Sequence, residues 1–132
     1  MCMGGMAPTS RAVESAVARL EGGHAAKIVS SGLAAISTAL LAHLKSGDHL
    51  LITDTVYQPA RHLCDTLLKN LGIETTYYDP LIGRGIGKLI SSNTRVVYCE
   101  SPGSQTMEVQ DIPSIAEGKQ IENKRRSWPY YS

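Results

Sequence analysis

The chain has 132 residues, 42% of them hydrophobic, enough for one folded domain with a core and against a disordered chain. Its formal net charge of +1 gives no electrostatic case for nucleic-acid or membrane binding. Cys2, Cys64 and Cys99 are odd in number and widely spaced, which fits reduced thiols in a cytoplasmic protein rather than a disulfide framework.

At the start, "MCMGGMAPTS" lacks the basic and apolar regions of a targeting signal. Thr9 or Ser10 is placed to cap a helix in which Val13, Ala16, Val17 and Leu20 recur at helical spacing, ended by Gly22-Gly23. "AAKIVS" reads as a short strand. Leu33, Ile36, Leu40, Leu41 and Leu44 form the next helical face, closed by Gly47. Ser37, Thr38 and His43 interrupt that stretch, so it falls short of a membrane span. "HLLIT" predicts a buried strand, and "QPARHLCDTLLKNLG" a helix with Pro59 in its first turn and Gly72 at its end. "IETTYYD" and "TRVVYCE" are strands rich in β-branched and aromatic residues, with a weaker helix between them near Ile86 to Ser91. "IPSIAE" begins a last helix. The alternation predicts an α/β fold with a mostly parallel sheet and flanking helices.

Two loops invite a phosphate reading. In "IVSSGLAAI", Ser30, Ser31 and Gly32 stand between an apolar run and a helix start. One reading is a plain cap by Ser31, with Gly32 relieving crowding. The other is a cradle in which backbone N–H groups and the helix dipole face an anion. "IGRGIGK" is neither a Walker loop nor G-x-G-x-x-G, and reads as a turn before a short helix.

Six segments occur in a telling order: "LEGG", "SSGLAAI", "GDHLLITDTVY", "YYDPLIG", "NTRVVYCESPGS" and "TMEVQDIPSIA". Together they resemble the Cys/Met-metabolism family of pyridoxal-phosphate (PLP) enzymes. The "ESPGS-x-TMEV-x-D" form is most similar to its cystathionine β-lyase branch, whereas γ-synthase and γ-lyase branches show "ESPSNP" there. The resemblance implies part of an aspartate aminotransferase-like, fold type I large domain. It implies PLP as cofactor, a small amino-acid substrate of the cystathionine type, and homo-oligomers, tetramers in the family. The implied reaction is cleavage of cystathionine to homocysteine, pyruvate and ammonia. Residue by residue, it implies that the backbone of Gly32 and Leu33, with Ser31 beside them, binds the cofactor phosphate. It implies that Tyr57 stacks on the pyridine ring, with its phenol near the reacting centre, and that Ser101, Pro102, Gly103 and Ser104 line the substrate side. A different branch of the family, a γ-lyase or γ-synthase, and a non-catalytic remnant that binds a phosphate ligand or partner are the alternatives.

Parts of the family pattern are unmatched. None of Lys27, Lys45, Lys69, Lys88, Lys119 and Lys124 sits in the "T-K-Y" context of the lysine that carries PLP. No "D-N-T" segment supplies the carboxylate for the ring nitrogen, so turnover by this chain alone is not expected. Upstream, the family's Tyr-x-Arg pair has no match before Pro8. After Glu117 the apolar period is lost in "GKQIENKRRSWPYYS", which is read as a basic, disordered tail and as a sign of a changed or truncated reading frame. The expected organisation is therefore a non-matching segment 1–8, a partial PLP-binding domain 9–117 and a divergent tail 118–132.

Other residues carry less. His62, Cys64 and Asp65 lack a second ligand cluster, so surface and core positions are expected and no metal site. Cys99 is expected to be buried and inert. Glu108 and Asp111 read as loop caps. Glu100 stays open, because it lies at a strand end, where sites form.

Overall fold

The computed structural model describes residues 8–126, with side chains through Lys119. The chain divides into two units, Met1–Ala35 and Ile36–Ser132. In the first, α1 spans Pro8–Leu20. Thr9 and Ser10 lie inside it rather than capping it. Gly22 follows at φ +63°, the left-handed conformation that ends helices. The expected strand "AAKIVS" does not form. Instead the Ile28 N–H donates to Glu14 Oε1 at 3.1 Å, and Lys27 Nζ stands 3.6 Å from the other oxygen of that buried carboxylate. A side chain on α1 thus satisfies a backbone donor that a sheet neighbour would otherwise have taken.

Helix α2, Gly32–His43, carries Ile36 and Leu40 onto the core of the second unit. There β1 (His49–Thr53), β2 (Glu74–Tyr78) and β3 (Thr94–Tyr98) form a parallel sheet in the order β2-β1-β3. β1 is central and buried throughout. Its side chains alternate between two cores, as the period of a strand requires. Leu50 and Ile52 face one core with Val56, Ala60, Cys64 and Leu68, while Leu51 faces the other with Tyr78, Ile86, Ile90 and Ile115. Each fully buried Leu or Ile contributes about 1.5–3 kcal/mol of burial free energy.

After β1 the chain enters α3, Gln58–Leu63, with Pro59 in the first turn as expected. Its last turns widen into a π-helical segment, Cys64–Leu68, where the Thr66 hydroxyl donates to the His62 carbonyl at 2.6 Å. Ala60, Cys64 and Leu68, four residues apart, are the buried stripe. Burial, and next the nearby Asp65, push the Cys64 thiol up to about 11, so it is an inert core group. Gly72 closes the segment at φ +75°.

The second crossover passes through a 3-10 helix, Gly83–Leu89, and the chain ends its described part in α4, Ile112–Arg126. Asp111 caps α4 by accepting the Ser114 N–H at 3.0 Å, and these bonds to Ser114 lower its carboxyl pKa. The expected change of structure after Glu117 is not seen, because α4 runs on through Gly118 to Arg126. Gly118 is a packing residue, not a helix stop: a Cβ there would come 2.7 Å from the Arg84 carbonyl oxygen. Residues 127–132 of the expected tail, and most of segment 1–8, lie outside the described residues. No helix among the described residues is long and apolar enough to cross a membrane.

One polar residue anchors the amino edge of the sheet. His49, buried at the start of β1, bridges to both neighbours, with Nδ1 2.7 Å from Thr94 Oγ1 and Nε2 2.9 Å from Thr76 Oγ1. Burial lowers its pKa, and Glu74 offsets this only in part. The folded state therefore disfavours the imidazolium, which the unfolded chain accepts below its ordinary value of about 6.5. Stability should be constant above that value and fall as pH drops below it. Urea-unfolding midpoints between pH 8 and pH 5 should show this decline, and His49→Asn should flatten it.

Candidate active site

The two cores define where a ligand crevice opens. The connection leaving β1 goes to the α3 face, whereas that following β3 leads to α4, on the opposite face. Adjacent parallel strands whose connections part to opposite faces leave a crevice beyond their carboxyl ends. Two loops border it: Asp54 to Tyr57 after β1, and Cys99 to Gln110 after β3.

The sequence-predicted residues of the second unit converge there. Tyr57 stands just before α3 and is 45% exposed. Its N–H donates across the crevice to Glu100 Oε1 at 3.1 Å. The Ser104 N–H donates to the Thr55 carbonyl at 3.0 Å, and the Gln105 side-chain amide to Gln58 Oε1 at 3.1 Å. The Ser101 hydroxyl oxygen accepts the Gln110 N–H at 2.9 Å, and the Ser101–Pro102 peptide is cis. Gly103 is buried, and its N–H donates to the Glu108 carbonyl at 2.9 Å. Glycine is required at 103, because a Cβ there would lie 2.8 Å from the Thr55 Cβ.

Beneath the loops lie groups that the sequence reading missed. The buried Tyr78 hydroxyl sits 3.0 Å from the Tyr98 carbonyl oxygen, 3.1 Å from Gln110 Oε1 and 3.2 Å from Cys99 Sγ. Burial pushes its phenol well up, so it is neutral and structural. Gln110 is buried too, and its side-chain N–H donates to the Glu100 carbonyl at 3.3 Å. Gln110 lies twelve residues beyond the end of β3, in the unassigned position of the "TMEV-x-D" segment, and carries no periodic signal that would mark it as buried. Cys99 is half-buried rather than buried. On the outer side, Arg61 pairs with Asp54, donates to the Asp54 carbonyl at 2.6 Å and lies 3.9 Å over the Tyr77 ring.

Ser31, Gly32 and Leu33 belong to the other unit or its border. The Ser31 hydroxyl oxygen accepts the Ala34 N–H at 3.1 Å, so the cap exists. Gly32 opens α2, and a Cβ there would meet no heavy atom within 4 Å. Crowding by the described residues around it in its own unit is therefore not the reason for glycine at 32. Taken by itself, the start of α2 is a helix N-terminus that an anion could approach, and in the second unit Tyr57 is an aromatic side chain of the kind that stacks on a cofactor ring such as that of PLP. Among the described residues no group of His, Cys, Asp and Glu could hold a metal ion; His62 and Asp65 are exposed while Cys64 is core.

The family profile described as Cys/Met metabolism PLP-dependent enzyme matches residues 5–124. The match passes Glu117, so the likeness extends further than the motifs alone suggested. A Saccharomyces cerevisiae protein provisionally named a cystathionine β-lyase is 56% identical over 108 residues, 82% of this chain and 32% of that protein. The cystathionine β-lyase of Salmonella typhimurium is 46% identical over 107 residues, 81% of this chain and 27% of that enzyme. The crystal structure of cystathionine γ-lyase from Lactobacillus plantarum, complexed with L-serine, superposes with a TM-score of 0.82 at 32% identity, covering 89% of this chain and 30% of that one. The chain thus spans about a third or less of the length of these relatives.

Steric exclusion at residue 103 can be measured directly. Gly103→Ala should cost about 1–3 kcal/mol by overpacking against Thr55. The Thr55→Gly/Gly103→Ala double variant should lose less than the sum of the two single changes in a urea-unfolding cycle.

Proposed function

The chain belongs to the Cys/Met-metabolism family of PLP-dependent enzymes, and we propose that it supplies the phosphate-binding and ring-stacking part of the PLP site of a carbon–sulfur β-lyase acting on a cystathionine-type amino acid. The observation that carries this reading is the half-exposed Tyr57 at the crevice between β1 and β3, tied to the 100–104 loop. When bound, PLP supplies an electron sink conjugated to the substrate Cα.

The chain's residues have distinct tasks. The N-terminus of α2 holds the phosphate through the backbone of Gly32 and Leu33, where the helix dipole favours an anion. Ser31 holds the first turn in shape through its bond to Ala34. Tyr57 offers a ring face that orients the cofactor by offset stacking. With the cofactor bound, its phenol would be a group able to hold or pass on a proton. Ser101 to Ser104 wall the substrate side. The lysine that carries PLP and the carboxylate for its ring nitrogen have no match in this sequence, so we assign the chain cofactor binding and no turnover on its own.

Within the family, the β-lyase branch is favoured by residue 103. The γ-type loop places a serine there, and Thr55 fills the space that its Cβ would need. The exposed stripe Val13, Val17 and Leu20 on α1 supports a homo-oligomer. The free Cys64 and Cys99 support a reducing, cytoplasmic setting.

PLP titration followed by absorbance tests the phosphate assignment. Gly32→Ala should weaken PLP binding by about tenfold, while helix propensity leaves the unfolding midpoint equal or slightly higher. Borohydride treatment of the chain loaded with stoichiometric PLP should trap no single lysine selectively, leaving only scattered, substoichiometric labelling of exposed amines. Equal PLP affinity in Gly32→Ala overturns the phosphate assignment, and one lysine trapped selectively and stoichiometrically overturns the claim that the carrier lysine is missing.

A further inference from the structure

The Tyr57 turn is a poor place to fix a ring by itself. Tyr57 occupies the cap position of α3 and makes no side-chain cap bond. Its carbonyl is used by the helix, accepting the N–H groups of Ala60 at 2.9 Å and Arg61 at 3.1 Å. Its own N–H points away from α3 and meets Glu100 Oε1 at 3.1 Å. That is a charge-assisted bond from the loop after β3 to the loop after β1, at the mouth of the crevice. Glu100 is in turn fastened to the interior. Its carbonyl oxygen accepts the side-chain N–H of buried Gln110, whose Oε1 lies 3.1 Å from the buried Tyr78 hydroxyl. A continuous chain of polar contacts therefore runs from the core, through Gln110 and Glu100, to the backbone of Tyr57. On the opposite side Arg61 pins Asp54, three residues before Tyr57, to α3 and packs on Tyr77.

The geometry points to Glu100 as a positioning residue: its carboxylate holds the Tyr57 backbone so that the phenol ring presents a fixed face to the cofactor ring. This rests on the reading of Tyr57 as the stacking residue. Glu100 does not touch the reacting atoms. It acts through the main chain of Tyr57, and because the bond is solvent-exposed the charge is screened, so an amide oxygen at the same place should largely suffice. Holding the turn before the ligand arrives removes an ordering cost that would otherwise reduce affinity.

Two measurements on the full chain decide it. The first needs no cofactor: amide hydrogen exchange at Tyr57. Glu100→Ala should speed that exchange by about tenfold or more without moving the unfolding midpoint comparably, and Glu100→Gln should stay close to wild type. The second is PLP affinity, with the visible circular dichroism of bound PLP as a report on ring orientation. Glu100→Ala should weaken binding by about tenfold and diminish the dichroic band, as Tyr57→Ala does, and the double variant should be no worse than Tyr57→Ala alone. If Tyr57→Ala costs affinity while Glu100→Ala leaves exchange and dichroism unchanged, the positioning role is overturned and the stacking reading stands. Additive losses in the double variant, with an unchanged dichroic band in Glu100→Ala, also overturn it. If Tyr57→Ala has no effect on PLP, or the wild type binds none, the stacking reading fails and this role falls with it.

Discussion

Complete burial of β1 is the constraint on which the second unit depends. His49–Thr53 is paired on both edges and covered on both faces. A strand in that position has no solvent face, so its middle must be apolar at consecutive positions, as Leu50, Leu51 and Ile52 are. Its two cores then need separate covers. The helix Gln58–Leu63 with its π-helical extension and the C-terminal half of α2 serve one. The 3-10 segment and α4 serve the other, packed closely enough that Gly118 and Gly87 meet without side chains between them.

The crevice is a by-product of this division. Because the connections after β1 and β3 depart to opposite faces, the carboxyl ends of neighbouring strands are left uncovered between them. The loops there are short on regular hydrogen bonding, and their backbone groups must find partners elsewhere. They find them in each other: Ser104 with Thr55, Tyr57 with Glu100, Gln110 with Ser101. The same bonds that satisfy the loops also fix the candidate site.

Most of the fold was legible in the sequence where one physical rule acts alone. Ala60, Cys64 and Leu68 are spaced for one helical face and are the face that is buried. Gly22, Gly47 and Gly72 mark ends and take positive φ. The misreadings arose where a distant residue decided. "AAKIVS" has strand composition, but Glu14 takes the Ile28 N–H that a ladder would use. The apolar period fades after Glu117, but α4 runs on, and Gly118 is where the Arg84 carbonyl presses on the helix so closely that a Cβ would come 2.7 Å from its oxygen. The Ser31 cap was legible from its spacing, and the open space around Gly32 was not.

By itself the sequence determined the α/β alternation, the burial of the "HLLIT" strand and the family, since periodicity and ordered motifs are local properties of the chain. It also named Tyr57, Gly103 and their neighbours as residues of interest. Only the tertiary structure decided the strand order β2-β1-β3 and, with it, which strand ends adjoin. It alone brought Glu100 to Tyr57, 43 residues away, and placed Gln110 and Tyr78 beneath them. Hydrogen-bond partners across loops have no sequence period, because they follow from how the strands stack side by side and not from the spacing along any one of them.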